Sequence, residues 1–275
     1  RSSIMTSLIF VHGFWTTPRI WEQYQNYFHA LGYQTKALAL PQHFSRNQPQ
    51  HPEGLSLVDY LDYLEEEFRA IAINGGKIVV AGHGMGAVLA LQLAMRVDPD
   101  ALLLLSPEAP SPIGSALPPA RALVDTCTTP FFWKRGIKPT FRAARNLLFN
   151  KLNDETAKKF YGYLCYESGL AIHQTWFWYL NTKSSASIER EKISCPIMTI
   201  AGSDDQYCSP RVARRLARHL GQGRHFHRLQ GFGHMLPLED KSFTAARQIH
   251  VWLCWQLGMQ SNPSNQHQGL NTATV

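Results

Sequence analysis

The sequence predicts an α/β protein, a mostly parallel sheet flanked by helices, and three observations carry that expectation. Short apolar, β-branched runs alternate with longer stretches whose apolar residues recur every three or four positions. The short runs are almost continuously apolar, as strands covered on both faces are. One long segment breaks the alternation, after which it resumes.

In chain order the apolar runs place strands over 4–11, 35–39, 77–81, 101–105, 197–201 and 225–229. Helix-period stretches over 20–31, 56–73, 85–96, 211–220 and 241–257 supply the crossovers between them. The break runs from 107 to 194. It opens with Pro107, Pro110, Pro112, Pro118 and Pro119, then becomes helical and aromatic through Phe131, Phe132, Trp133, Tyr161, Tyr163, Trp176, Phe177, Trp178 and Tyr179. Because it separates two strands that would otherwise be neighbours, it is expected to lie over the sheet as a helical cap. The division is then a core of 4–106 and 195–258, a cap of 107–194 and a polar tail of 259–275 with little to bury.

Composition narrows the class. A chain of 275 residues with 44% apolar and 17% charged residues is long enough to bury about three quarters of its unfolded surface, so one large domain with an insertion suffices. No apolar run reaches the roughly 18–20 residues of a membrane span, and 4–11 is too short for a signal peptide. The five cysteines are scattered and odd in number, without a Cys-x-x-Cys pair, so reduced thiols in a cytoplasmic setting are expected. The net charge of +7 is spread over helical stretches such as 211–218 and forms no nucleic-acid-binding motif. A cluster in the insertion, Lys134, Arg135, Lys138, Arg142 and Arg145, reads either as a solvated face or as a guide for an anionic substrate. Zinc-spaced ligands and a Gly-x-Gly-x-x-Gly fingerprint after the first strand are both missing, so no metal or organic cofactor is expected.

The chemistry-bearing residues fall just after strands. Gly82-His83-Gly84-Met85-Gly86 follows an apolar strand and opens a helix. A turn that tight forces its central residue into an unfavourable dihedral region and leaves no space for side chains on its outer positions. His12-Gly13-Phe14-Trp15 ends the first strand. Asp205 follows the fifth strand and His234 the sixth, an acid to orient an imidazole that meets the reacting atom. Asp204 is the near rival for the acid and Glu108 the distant one. His12, Trp15, His83, Trp133, Trp176, Trp178 and Met235 complete the expected substrate-binding set, although for His12 a loop-shaping role competes.

In this set of motifs the chain resembles the α/β-hydrolase superfamily from Ser7 to about Leu257, especially compact esterase and lyase members with a helical cap. The resemblance implies the α/β-hydrolase fold, with a cleft between sheet and cap, and it implies that the backbone N–H groups of Phe14 and Met85 are the pair of donors to a developing oxyanion. The superfamily hosts esterases, thioesterases, lyases, cofactor-free oxygenases and hormone receptors, so fold does not settle reaction. The departure is Gly84, where a hydrolase carries a nucleophile. Glycine closes the acyl-enzyme route, and loss of a triad serine costs roughly 10⁶ in turnover in measured proteases. Three explanations stand: a hydrolase of hydrophobic esters, thioesters or polyketide-like carbonyl compounds inactivated by Ser→Gly, a native serine-free lyase, cyclase or decarboxylase with His234 as general base, or a ligand-binding pseudoenzyme.

Overall fold

Eight strands are found in a computed structural model of the chain, which describes residues 5–43, 52–111, 113, 126, 128–178 and 186–259. They are β1 (Thr6–Val11), β2 (Gln34–Leu38), β3 (Lys77–His83), β4 (Ala101–Leu105), β5 (Gly136–Ile137), β6 (Glu167–Ser168), β7 (Ile197–Gly202) and β8 (Phe226–Leu229). Six of them, in the order β2-β1-β3-β4-β7-β8, form one sheet with every neighbouring pair parallel. Strands β1, β4 and β7 are buried along their whole length, as the near-continuous apolar runs require, while the edge strands β2 and β8 are partly exposed. The tail beyond 259, together with Pro112, Pro118, Pro119 and Tyr179, lies outside the described residues.

The helices fall where the apolar period places them, with small shifts of boundary. They are α1 (Glu22–Ala30), α2 (Leu57–Ala72), α3 (Met85–Ala94), α4 (Phe141–Leu147), α5 (Asp154–Tyr161), α6 (Gly169–Trp176), α7 (Pro210–His219) and α8 (Ser242–Leu257). The stretch expected as one helix over 20–31 is divided, a 3₁₀ turn at Pro18–Trp21 leading into α1. His225, expected in a strand, sits in a 3₁₀ turn, where its Nδ1 accepts from Trp252 Nε1 at 3.2 Å. Helix α2 starts at a reciprocal cap, Ser56 accepting from the Asp59 amide while Asp59 accepts from the Ser56 amide. Every residue of α3 is buried, so this helix is enclosed on all sides, whereas α7 buries Ala213, Leu216 and Ala217 and turns Arg211, Arg214 and Arg218 to solvent. Among the described residues no helix is long and apolar enough to cross a membrane.

The segment inserted between β4 and β7 carries α4, α5 and α6 and also the antiparallel pair β5–β6, a feature that the helical reading of 107–194 does not contain. It is fastened to the sheet domain by a buried carboxylate. Glu167, in β6, is fully buried and accepts from the Tyr60 hydroxyl (2.6 Å), the Ser168 amide (2.8 Å), His43 Nε2 (3.0 Å) and the Trp15 amide (3.4 Å). His43 gives its other ring nitrogen to the Pro41 carbonyl at 2.9 Å, so both nitrogens donate, which requires the imidazolium. Burial opposes that charge, but the Glu167 carboxylate beside it raises the His43 pKa overall. The backbone of Cys165 adds a hydrogen bond to the Trp15 carbonyl at 2.8 Å. Trp15 needs these restraints because it sits at φ 62°, a left-handed conformation unfavourable for a bulky residue.

Removing one member of a buried, hydrogen-bonded ion pair leaves the other charge uncompensated. Glu167→Ala is therefore expected to lower the unfolding free energy by about 3–5 kcal/mol, measured by urea denaturation; a loss below about 1 kcal/mol would show that the clamp is not what holds the insertion down.

Candidate active site

In a parallel sheet the loops at the carboxyl ends of the strands lie on one edge, and a crevice opens where the strand order reverses. Here the chain passes from β1 outward to β2, then crosses back to β3 on the other side of β1. The loop after β1 and the turn after β3 consequently face each other, and the loops following β4, β7 and β8 line up beside them.

The turn after β3 is closely packed on both sides. A Cβ on Gly82 would overlap the Gly86 carbonyl, and one on Gly86 would overlap the carbonyls of Val11 and His12, so both positions exclude any larger residue. Gly84 between them adopts φ 57°, ψ −121° and caps α3. Its amide donates to the Leu105 carbonyl at 3.0 Å, and its own carbonyl accepts from Glu108 and Ala87, both at 3.1 Å. The amides of Phe14 and Met85, on either side of the turn, give their hydrogens to no backbone group among the described residues. Both residues line a cavity directly over Gly84.

His234 reaches the same cavity from the far end of the sheet. Its Nδ1 donates to Asp205 Oδ2 at 3.0 Å, and its Nε2 lies 3.8 Å from the point a Cβ on residue 84 would occupy. Asp205 is held in turn, its Oδ1 accepting from the amides of Tyr207 and Cys208, each at 2.8 Å. Asp204 is directed elsewhere: its carboxylate pairs with Lys151 at 2.5 Å and accepts from the Ser203 hydroxyl. The two loops are also tied to each other, the Asp204 amide donating to the Phe232 carbonyl at 2.8 Å and the Gly231 amide to Ser203 Oγ at 2.8 Å.

The remaining residues of the expected set divide. Trp15 and Met235 line the cavity. His83 also borders it, but its Nε2–H donates to the His234 backbone carbonyl at 2.9 Å, and burial together with the neighbouring His234 ring holds its pKa down to about 3. It is a neutral prop under His234. His12 is fully buried away from the cavity, Nδ1 donating to the Gly13 carbonyl and Nε2 accepting from the Leu40 amide, so it shapes the loop. Trp176 packs edge-on against Phe14 and Trp15. Trp133 is 40% exposed and contacts Phe131, Phe132 and His173, remote from the cavity, and Trp178 packs half-buried against the core. For Trp133 an aromatic cluster within the insertion accounts for the sequence signal.

Other residues enter the site without a sequence motif to announce them. Tyr207 lines the cavity, as does Glu108, the distant alternative for the acid, although His234 Nδ1 bonds to Asp205; burial pushes the Glu108 carboxyl up to about 7. Glu239 accepts the Gly233 amide with both oxygens, at 2.9 and 3.0 Å, bracing the loop that carries His234. A second, apolar cavity lined by Ile137, Ala143, Ala144 and Leu147 shares Trp15, Leu148 and Tyr207 with the first. Of the basic cluster, Lys138 borders this second cavity, and Arg145 is paired with Asp154 at 3.0 Å.

Comparison with known proteins agrees with this architecture. Residues 8–247 match the model of the alpha/beta hydrolase family. No curated protein sequence matches. Among solved structures, an esterase from Thermogutta terrifontis is similar at a TM-score of 0.69 with 18% identity, covering 92% of this chain and 91% of that one. The monoacylglycerol lipase of Paleococcus ferrophilus is similar at 0.67 with 20% identity, covering 93% and 98%. A soluble variant of the Saccharomyces cerevisiae monoglyceride lipase, bound to a substrate analog, follows at 0.69 with 15% identity, covering 93% and 88%. At such identities the likeness is one of fold. The match of the family model along most of the chain, on a parallel sheet with an elbow at Gly84, establishes that this protein belongs to the alpha/beta hydrolase family.

Proposed function

We propose that this chain is an enzyme acting on a small, hydrophobic carbonyl compound, with His234 as general base, Asp205 as its orienting acid and the Phe14 and Met85 amides as the oxyanion hole. The observation that carries the reading is the position of His234 Nε2, 3.8 Å from where a side chain on residue 84 would begin, with Nδ1 bonded to a buried carboxylate. An imidazole so placed takes a proton from whatever occupies the space over Gly84, and the carboxylate stabilises the imidazolium that forms. The insertion serves as a cap, and its apolar cavity beside the catalytic one suits the hydrophobic part of a substrate.

The reaction available depends on residue 84. With glycine there, His234 acts on a bound water or on a proton of the substrate itself, the route to hydrolysis without an acyl-enzyme, or to elimination, retro-aldol cleavage, decarboxylation or cyclisation. The cavity over Gly84 encloses about 10 Å³, room for roughly one water. Entry of a substrate consequently requires the cap to shift.

A second reading, an ester or thioester hydrolase lacking only its nucleophile, has its own support. A Cβ at residue 84 meets nothing closer than Gly13 Cα at 3.7 Å, and the next neighbour is His234 Nε2. A serine would thus fit without displacing backbone, its hydroxyl directed at the base. In a family built on the strained elbow, positive φ at this position is the expected conformation of the nucleophile.

Two experiments separate the readings. In the hydrolase reading, Gly84→Ser raises turnover of short-chain p-nitrophenyl esters by about 10³-fold or more, with an acyl adduct visible in the intact mass; no adduct and no gain would eliminate it. In the general-base reading, His234→Ala lowers turnover by about 10²–10⁴-fold in whichever protein is active, with Gly84 or with Gly84→Ser. Equal kcat with and without the imidazole would end both.

A further inference from the structure

The cavity over Gly84 gathers buried polar atoms that the His234–Asp205 pair does not use. Glu108 Oε1, Tyr207 Oη and Trp15 Nε1 are sealed from solvent without a well-aligned hydrogen bond, Glu108 and Tyr207 lying within reach of each other and of Trp176, and all three residues line the cavity. A fourth such atom, Trp176 Nε1, belongs to the indole packed against Trp15, ring centroids 6.4 Å apart. Buried polar groups in folded proteins are almost always paired, so several orphans round one hollow mark a place where a ligand atom is received.

The chemistry of these atoms selects the ligand. The indoles can only donate, the tyrosine hydroxyl donates, and a carboxyl donates when it carries its proton. Burial raises Glu108 to about 7, against the lowering influence of the nearby Tyr207 hydroxyl and His234, so the protonated form is present near neutrality. Burial likewise pushes the Tyr207 hydroxyl far up, which keeps its proton in place. With Glu108 protonated the set consists of donors, which suits an oxygen with lone pairs and disfavours an amine or a cation.

Position narrows it further. The Glu108 backbone is bonded to the Gly84 carbonyl, and the Tyr207 ring lies edge-on to His234 with centroids 4.9 Å apart. The donor group therefore adjoins both the base and the oxyanion amides. We propose that Glu108 and Tyr207 form a second oxygen-binding subsite, so that the substrate is an apolar β-dicarbonyl-like compound, one oxygen held by the Phe14 and Met85 amides and the other by this pair. The inference rests on the reading of the cavity as the reaction site. For such a compound the carbon between the two carbonyls faces His234. When its C–H bond breaks, the proton goes to Nε2 and the electron pair spreads over both oxygens, each already hydrogen-bonded.

A matched pair of probes tests the subsite without requiring turnover: 1-phenyl-1,3-butanedione and butyrophenone, which differ by one ketone oxygen, titrated calorimetrically into the chain as it stands. A site built to hydrogen-bond an oxygen rejects the analogue lacking it, so at least a tenfold preference for the diketone is expected. Glu108→Leu should reduce the preference below threefold, Glu108→Gln, which keeps a donor, should retain most of it, and Tyr207→Phe should diminish it. Equal affinity for the two probes, binding of neither, or a preference unchanged in both Glu108→Leu and Tyr207→Phe would overturn the proposal. If Glu108→Leu does not fold, Tyr207→Phe with Glu108→Gln decides. His234→Ala keeps the diketone preference if the subsite is real, so a failure of the catalytic reading and a failure of this one give different results.

Discussion

The close approach of the β3–α3 turn to the end of β1 is the constraint on which the rest of the molecule depends. It is possible only because Gly86 puts no side chain against the carbonyls of Val11 and His12, and Gly82 none against the carbonyl of Gly86. That contact presses the amino end of a fully buried helix against the loop after β1. It brings two backbone amides, from Phe14 and Met85, to the same hollow, where a helix terminus is already short of acceptors. Every other group of the site is positioned relative to this turn: the Glu108 amide is bonded to Gly84, and His234 looks down on it.

Around that fixed point, the side chains are placed by buried hydrogen bonds that each join segments remote in sequence. Asp205 reaches His234 across 29 residues, His83 supports the His234 carbonyl across 151, and Glu167 joins Trp15 across 152. These are bonds of low local dielectric, where a satisfied network is rigid and a broken one costs heavily. The charges are disposed accordingly. His43 carries its proton against Glu167, whereas burial and a neighbouring histidine keep both His12 and His83 neutral. A positive charge on His83 would lie against His234, ring centroids 4.6 Å apart, and would oppose the imidazolium formed during proton transfer.

In the proposed mechanism the molecule separates two functions that a triad serine ordinarily links. The paired amides of that mechanism would receive negative charge and the imidazole–carboxylate pair a proton, and neither depends on a side chain at residue 84. The elbow keeps its strained conformation with glycine in place, although glycine relieves most of the strain. The hollow shares Trp15, Leu148 and Tyr207 with an apolar cavity of the insertion.

The strand and helix pattern was legible in the sequence because both periods are local properties of the chain: five crossover helices and six strands lie within a few residues of where apolar spacing places them. The glycines of the elbow, the histidine after the last strand and the tandem aspartates were legible for a related reason, each standing at a strand end where a parallel sheet gathers its loops. Spacing could not say which aspartate bonds to His234, since Asp204 and Asp205 are adjacent and only the turn of the loop sends one to Lys151 and the other to the imidazole. Nor could it rank the aromatics of the insertion, where Trp176 reaches the Phe14 loop and Trp133 does not. Glu108, Tyr207, Glu167 and Glu239 come from separate loops and elements, and their meaning lies in what they meet. The sequence by itself determined the architecture and the candidate proton-transfer residues, because these follow from short-range pattern. Only the tertiary structure decided which polar groups are buried together, because desolvation and hydrogen bonding act between atoms brought close by folding and leave no periodic trace along the chain.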